Sequence, residues 1–200
     1  MPNLVKLADS ISTVTYKKSL QGDLVKFCKA AAKDNLINNA SLEAMKLDWC
    51  IANGGAFHLT YYKTKLISVS GCHPLPQFGQ GVMRVLFRGA TLTKYQNLFG
   101  IVSRTHMNSF PFYSQLPMQL KFADKKGYTI PVVTTNYSNP NNMQSMSKSH
   151  RAFFSLEKTG IVTNVMENIE LFHTEQAVWR INIEQYTFAR KEFNKRHGLK

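Results

Sequence analysis

The stretch Ala56–Ser70, AFHLTYYKTKLISVS, decides the fold. It contains two runs of β-branched and aromatic residues, Ala56–Tyr62 and Leu66–Ser70, separated by the polar residues Lys63–Lys65. Two such runs joined by a short turn are typical of an antiparallel hairpin. We therefore expect the chain to be organised around a β-sheet that contains this hairpin.

The segments on both sides of the hairpin predict helices and further strands. In chain order we expect a strand at 10–16, a helix at 19–33, a second helix that is capped by Ser41 and ended by Asn53-Gly54-Gly55, a strand at 82–87, a helix from 109 to 127 and a strand at 128–136. The helices follow from apolar residues at helical spacing, and Ser109-Phe110-Pro111 is a helix-start signal. A strand–helix–strand unit after an antiparallel hairpin predicts a mixed sheet with flanking helices in an α+β fold.

The last third of the chain is less regular. Residues 137–149 are rich in Asn, Ser and Met without an apolar period, which predicts a long mobile loop. A helix is expected at 150–159, followed by strands near 161–165, 169–174 and 176–187 and by a basic helix or tail at 187–200. The length of 200 residues fits one domain, 1–200.

The charge distribution favours an anion-binding protein. The chain has 25 Lys and Arg against 12 Asp and Glu, a formal net charge of +13. Between Trp49 and Leu156 the only carboxylate is Asp124. A hydrolase with paired carboxylates or a carboxylate-bound magnesium site needs acids close together. That part of the sequence cannot supply them, but it can supply a site for phosphates.

The cysteines and the hydropathy pattern exclude several classes of protein. Cys28, Cys50 and Cys72 are an odd number without a C-x-x-C pair, which argues against a disulfide framework and a structural zinc site, so we expect no metal. Cys72-His73 is a poor nucleophile–base pair because adjacent strand residues point to opposite faces. No run approaches about 18 apolar residues, and Met1–Leu4 does not resemble a secretory signal, so a cytoplasmic protein is expected.

A family resemblance is carried by His150–Ile161, HRAFFSLEKTGI. The fourth helix of GNAT acyltransferases commonly reads Asn-x-x-Ala, three further residues, then Tyr-Glu-Lys-x-Gly-Phe, and Ala152, Glu157, Lys158 and Gly160 fall in that register. The chain thus resembles the GNAT superfamily over about residues 50–165, and it is also similar to GNAT-like proteins of tailed phages. The resemblance implies an N-acyltransferase that uses acyl-CoA, most commonly acetyl-CoA, and an amine acceptor.

The resemblance also implies where the cofactor binds. In the family, backbone groups at the end of the fourth strand hold the cofactor, and the fourth and fifth strands part to admit it. Carried over, those backbone groups belong to Phe87, Arg88, Gly89 and Ala90, with Asn136 at the end of the fifth strand. The cofactor's phosphates are expected at the following helix start, near Arg104, Asn108, Ser109 and Phe110, because free N–H groups at a helix N-terminus bind anions. The usual glycine-rich phosphate signature is absent there.

The catalytic residues are harder to assign. The tyrosine that usually serves as general acid in the family is Leu156 here, and leucine cannot donate a proton. Histidine is the side chain that titrates near neutral pH, and we expect His106 as the best candidate for general base, with His150 as a further one. Tyr113, in the first turn of the helix after strand four, is the expected replacement acid.

Three functions are compatible with these observations. The first is a GNAT-like N-acyltransferase whose amine acceptor lies on or near a polyanion. The second is a nucleic-acid modification enzyme on the same fold, similar to the Mom-type DNA modifiers of phages, with DNA or RNA bound through the basic surface. The third is a non-catalytic binding module that uses the basic tail, namely Arg190, Lys191, Lys195, Arg196 and Lys200.

Overall fold

The computed structural model describes residues 4–96, 103–139, 142–171 and 174–199. The helices are α1 (Leu4–Asp9), α2 (Gln21–Lys33), α3 (Leu47–Ala52), α4 (Leu116–Lys125), α5 (Lys148–Glu157) and α6 (Ile183–His197). The strands are β1 (Ile11–Thr15), β2 (Ala56–Tyr62), β3 (Lys65–Pro74), β4 (Val82–Thr91), β5 (Ile130–Asn136), β6 (Ser138–Asn139), β7 (Asn142–Met146), β8 (Val162–Leu171) and β9 (Thr174–Ile181). A π-helical turn, Pro111–Gln115, leads into α4.

The central sheet has seven strands in the order β1-β2-β3-β4-β5-β9-β8. The pair β4 and β5 is parallel, with α4 as the connection, and the other neighbouring pairs of this sheet are antiparallel. The hairpin β2–β3 and the unit β4–α4–β5 are the two elements that the sequence predicted. The expected α+β fold with a mixed central sheet is therefore confirmed.

Helices cover both faces of the sheet. Because alternate residues of a strand point to opposite faces, the sheet contributes residues to hydrophobic clusters on both of its faces. One cluster joins α4, α5 and α6 to buried residues such as Val85, Val133 and Trp179. The other joins α2 and α3 to Phe57, Val69 and other residues of β2 to β4. The sheet is thus a middle layer, and a gap between two of its strands connects the two helical layers.

Such a gap opens between β4 and β5. Within the described residues, the parallel ladder contains three pairs, from Val82 opposite Ile130 to Arg84 opposite Val132. Beyond them β4 continues to Thr91 and β5 to Asn136 without pairing to each other. The β3–β4 register shifts in the same region, and Leu86 and Arg88 have φ of 55° and 49°. The bulged β4 therefore turns away from β5, as expected for a cofactor slot.

Three expectations for the last third of the chain are wrong. The strands expected near 161–165 and 169–174 are a single strand, β8, within which the pairing with β9 shifts register. The segment 137–149 is not one long loop, because β6 and β7 pair as a hairpin (Ser138 opposite Met146) and Ser147 then caps α5. The expected strand at 176–187 ends at Ile181, since the Asn182 side chain accepts a hydrogen bond from the Gln185 N–H and starts α6 there. Trp179, Ile181 and Ile183 alternate with polar residues, which is the pattern of a continuing strand, so the sequence did not predict the cap at Asn182.

The three cysteines are buried and carry free thiols. Burial raises the pKa of Cys50 and of Cys72 to about 12, so both thiols stay protonated at neutral pH. A thiolate nucleophile at these positions is therefore not supported. None of the helices in the described part of the chain combines the length and apolar character needed to cross a membrane.

Candidate functional site

A cleft of about 530 Å³ lies where β4 and β5 part. One wall is β4, through Leu86 and the segment Gly89–Thr91, and the opposite wall is β5, through the segment Val133–Thr135. The first part of α5 and the π-helical turn before α4 also line the cleft. They close it on the face of the sheet that α4 and α5 cover. The site is therefore formed by the two parted strands and by two helix starts.

The cleft is mostly apolar, and its polar lining residues lie on the two strands and at the helix starts. Lys148 and Ser149 stand in the first turn of α5, and the Ser147 hydroxyl caps this helix by accepting from the His150 N–H. The N-terminus of a helix carries a partial positive charge, which Lys148 reinforces. Among the described residues that line the cleft there is no carboxylate. This end of the cleft is suited to an anionic group.

Two features of the strands fit a ligand between them. The Thr134 hydroxyl is buried and has no hydrogen-bond partner within the described residues, although the residue lines the cleft. A buried polar group without a partner is costly, so a bound ligand that pairs with it is stabilised. At Gly89 an added Cβ would lie 3.3 Å from the Leu86 carbonyl oxygen, so the bulged strand packs closely on itself at this wall of the cleft.

A second cleft, of about 500 Å³, lies on the other side of Gly89. It is formed by the linker between α2 and α3, including Glu43 and Lys46, together with Arg88 of β4. Leu36 and Gly89 line both clefts. A group in the first cleft and a group in the second can therefore meet at the edge of β4 near Gly89.

Five of the predicted site residues line the first cleft: Gly89, Ala90, His106, Ser109 and Phe110. Burial lowers the pKa of His106, so its imidazole is neutral at pH 7. The Ser109 N–H and hydroxyl both donate to the His106 carbonyl oxygen, at 2.9 Å each. The Ser109 amide therefore already has an acceptor within the chain.

Other predicted site residues lie next to the cleft. Arg88 lines the second cleft, and the Phe87 side chain is buried against the rings of His73 and Phe57. The Asn136 carbonyl oxygen, at the end of β5, accepts a hydrogen bond from the Ser147 hydroxyl. This bond ties the end of β5 to the start of α5.

The remaining predicted residues are not brought to the cleft. Tyr113 packs against Phe193 and Arg190 of α6, and the described residues that line the cleft do not include it. His150 is buried behind β5, 3.2 Å from the Thr135 hydroxyl oxygen, and burial lowers its pKa. Arg104 lines a different groove beside α6, and Asn108 precedes the π-helical turn outside the cleft lining.

Sequence reasoning missed Glu43 and Thr134. Glu43 lies outside the carboxylate-poor segment between Trp49 and Leu156. The fold brings it from the α2–α3 linker to a cleft that β4 also lines. No local pattern predicts this placement, because the linker and Gly89 are far apart in the sequence and come to one cleft only in the folded chain. Thr134 lies two residues before Asn136, the residue that the resemblance gives as the end of the fifth strand, so the signal for it was close by in the sequence.

No family model and no curated protein matches the sequence. Solved structures do match. An acetyltransferase of the GNAT family from Staphylococcus aureus Mu50 is 12% identical, with 86% of this chain and 98% of that chain covered and a TM-score of 0.52. A GNAT family acetyltransferase from Elizabethkingia anophelis with acetyl-CoA bound is 15% identical over 86% and 98% of the two chains, with a TM-score of 0.51.

A third similar structure is the ribosomal-protein-S18-alanine N-acetyltransferase from Escherichia coli. It is 8% identical, with 86% of this chain and 92% of that chain covered and a TM-score of 0.51. At such identities these likenesses show the fold and not the activity. The chain therefore has the GNAT fold that the motif at His150–Ile161 indicated.

Proposed function

We propose that this protein is an N-acyltransferase that binds acyl-CoA, with acetyl-CoA the most favoured donor, in the cleft between β4 and β5. One observation carries the proposal: the two parallel strands part after three residue pairs, and beyond them the buried hydroxyl of Thr134, a residue of the cleft lining, has no hydrogen-bond partner among the described residues. The GNAT fold and the acetyl-CoA bound to the similar Elizabethkingia anophelis structure support it.

Each part of the donor has a suitable place in the cleft. The pantetheine arm is long and narrow, and it would run along Gly89 and Ala90 on one side and Thr134 on the other. The phosphates would lie near Lys148 and the first turn of α5. Bound acyl-CoA would supply a thioester carbonyl: the acceptor's amine would form an amide bond with it while the C–S bond breaks, and CoA would take up a proton and leave as the thiol. The chain's own task is to orient that carbonyl and to take up the proton that the amine releases.

We propose Glu43 as the general base. The amine would approach from the second cleft, where Glu43 stands in the lining, and it would reach the thioester near Gly89. His106 is the alternative base, because burial keeps its imidazole neutral and it lines the donor cleft itself. The two residues lie on different clefts, so their replacement has different consequences.

The test of the function is amine-dependent release of the CoA thiol from acetyl-CoA. Suitable acceptors are free lysine, spermidine, a peptide with an internal lysine and a peptide with a free N-terminal amine. We expect saturable binding of acetyl-CoA and thiol release with at least one of these amines. Absence of acetyl-CoA binding at millimolar concentration would contradict the proposal.

Glu43→Gln is expected to lower kcat for the best amine by about 100-fold, because general-base catalysis contributes roughly 100- to 10,000-fold. Its Kd for acetyl-CoA should remain unchanged, since Glu43 lies outside the donor cleft. Asp48→Asn is the matched control, because Asp48 is an exposed carboxylate on α3 and does not line either cleft. If Glu43→Gln is fully active and His106→Gln is not, the base is His106.

Binding of a polyanion is the second element of the proposal. The last turn of α6 is basic, and a groove of about 600 Å³ beside it contains Arg104, Arg196 and the exposed ring of Phe188. Together with the net charge of +13, this groove favours nucleic acid as the polyanion.

Affinity for a fluorescent single-stranded DNA oligonucleotide is expected to fall steeply as salt rises from about 50 to about 200 mM. Arg196→Glu should weaken this binding, whereas Lys33→Glu, the same charge change on an exposed residue of α2, should weaken it less. Salt-independent affinity, or equal effects of the two variants, would contradict the polyanion proposal and leave the acyl transfer untouched.

A further inference from the structure

Two glutamines of the α4 region are completely buried under β3 and β4. Gln115 and Gln119 each have 0% of their surface exposed, whereas buried positions in a helix are usually apolar. Their amide groups form a continuous set of hydrogen bonds with hydroxyl groups of the sheet. The bonds are Gln119 Nε2 to Ser70 Oγ at 2.8 Å, Ser70 Oγ to Gln115 Oε1 at 2.7 Å, Gln115 Nε2 to Thr60 Oγ1 at 3.0 Å and Gln115 Nε2 to Ser68 Oγ at 3.1 Å.

One of these glutamines binds the backbone of the donor cleft. The Leu86 N–H donates to Gln119 Oε1 at 2.7 Å. Leu86 is at the bulge of β4, with φ of 55°, and its side chain belongs to the cleft lining. Leucine rarely adopts this left-handed conformation, which occurs where the surrounding structure imposes it. The side chain of Gln119 supplies the acceptor that an interrupted ladder does not provide at this position.

The far end of the same β4 segment is held by Ser68, whose hydroxyl is also a partner of Gln115. The Ser68 hydroxyl donates to the Ala90 carbonyl oxygen at 3.1 Å, and Ala90 also lines the cleft. Leu86 and Ala90 therefore bracket the part of β4 that faces the donor. Of the two glutamines, only Gln119 has a hydrogen bond to this segment, since Gln115 bonds to side chains.

We propose that Gln119 is a positioning residue for acyl-CoA: by accepting from the Leu86 amide it holds the bulge that keeps β4 away from β5. This inference rests on the proposed function. Gln119 does not reach the donor itself, because it acts from behind β4. An apolar side chain of equal size would leave the Leu86 amide buried without an acceptor, and β4 would then relax toward regular geometry and narrow the cleft.

The test compares Gln119→Met with Gln115→Met. The two residues are equally buried and both join the hydroxyl groups of the sheet, but only the first bonds to the Leu86 amide. Both variants are expected to lose similar thermal stability. Gln119→Met should raise the Kd for acetyl-CoA at least about tenfold, whereas Gln115→Met should raise it less than about threefold. Amide hydrogen exchange at Leu86 should accelerate in Gln119→Met alone.

The outcomes separate this inference from the function on which it rests. If the wild-type protein binds no acetyl-CoA, the proposed function fails and the positioning role fails with it. If the wild type binds and the two variants weaken binding equally, or Gln119→Met has no effect, the positioning role is wrong and the function stands. Should Gln119→Met not fold, Gln119→Asn takes its place with the same expectation, because its shorter side chain cannot reach the Leu86 amide.

Discussion

Ala152→Trp is expected to abolish binding of acetyl-CoA, with at least about a 100-fold increase in Kd, or about 2.7 kcal/mol. Ala152 is a half-buried residue of α5 that lines the cleft between β4 and β5. An indole at this position would occupy the space in which the pantetheine arm is proposed to lie. The helix itself should tolerate the change, because tryptophan is only a moderately poor helix former.

The control for this variant is Ser155→Trp. Ser155 is an exposed residue of the same helix and does not line the cleft. It should bind acetyl-CoA like the wild type, and both variants should keep the wild-type circular dichroism spectrum. Isothermal titration calorimetry measures the two affinities. If Ala152→Trp binds acetyl-CoA with unchanged affinity, the donor does not occupy this cleft.

Trp179→Ala is expected to reduce the free energy of unfolding by about 3–5 kcal/mol. Trp179 is fully buried, its Nε1–H donates to Thr135 Oγ1 at 2.8 Å, and its ring packs against His150 and Phe153. Removing the indole leaves a cavity between β9 and α5, and it takes from the Thr135 hydroxyl one of its two hydrogen-bond partners, the other being His150 Nδ1. Urea denaturation of the wild type and the variant measures the loss.

The second tryptophan provides the comparison. Trp49 is 38% exposed, so Trp49→Ala should cost about 1 kcal/mol. Should Trp179→Ala not fold at all, Trp179→Phe is expected to cost about 1–2 kcal/mol through the lost hydrogen bond and volume. If the two alanine variants lose the same free energy of unfolding, the packing of Trp179 among β5, β9 and α5 does not stabilise the fold more than the exposed Trp49 does.

The sequence predicts the parts of the fold that depend on local patterns. The alternation in Ala56–Ser70 predicts the β2–β3 hairpin, and Ser109-Phe110-Pro111 predicts the helix start before α4, although the first turn there is π-helical. The motif of α5 predicts the GNAT fold. Each of these signals is contained in fewer than about twenty neighbouring residues, for which periodicity and turn chemistry are sufficient.

The sequence does not predict the features that depend on distant contacts. Leu86 and Arg88 adopt left-handed conformations although neither is glycine, and no local sequence pattern predicts this. The hydrogen bond from the Leu86 N–H to Gln119 helps to hold Leu86 in that conformation. The approach of Glu43 to Gly89 likewise joins segments far apart in the chain. The bulge of β4 and the second cleft give the proposed site its shape. These two features could not be predicted from the sequence, because both depend on contacts between distant segments.

Hydrogen–deuterium exchange with and without acetyl-CoA tests the central claim most directly, namely that the donor binds between the parted strands β4 and β5. The expected result is slower exchange of the amides of 86–91 and 133–135 and of the first turn of α5, with no change on α6. Protection confined to the groove beside Arg104 and Arg196, or no protection at saturating acetyl-CoA, would contradict the account.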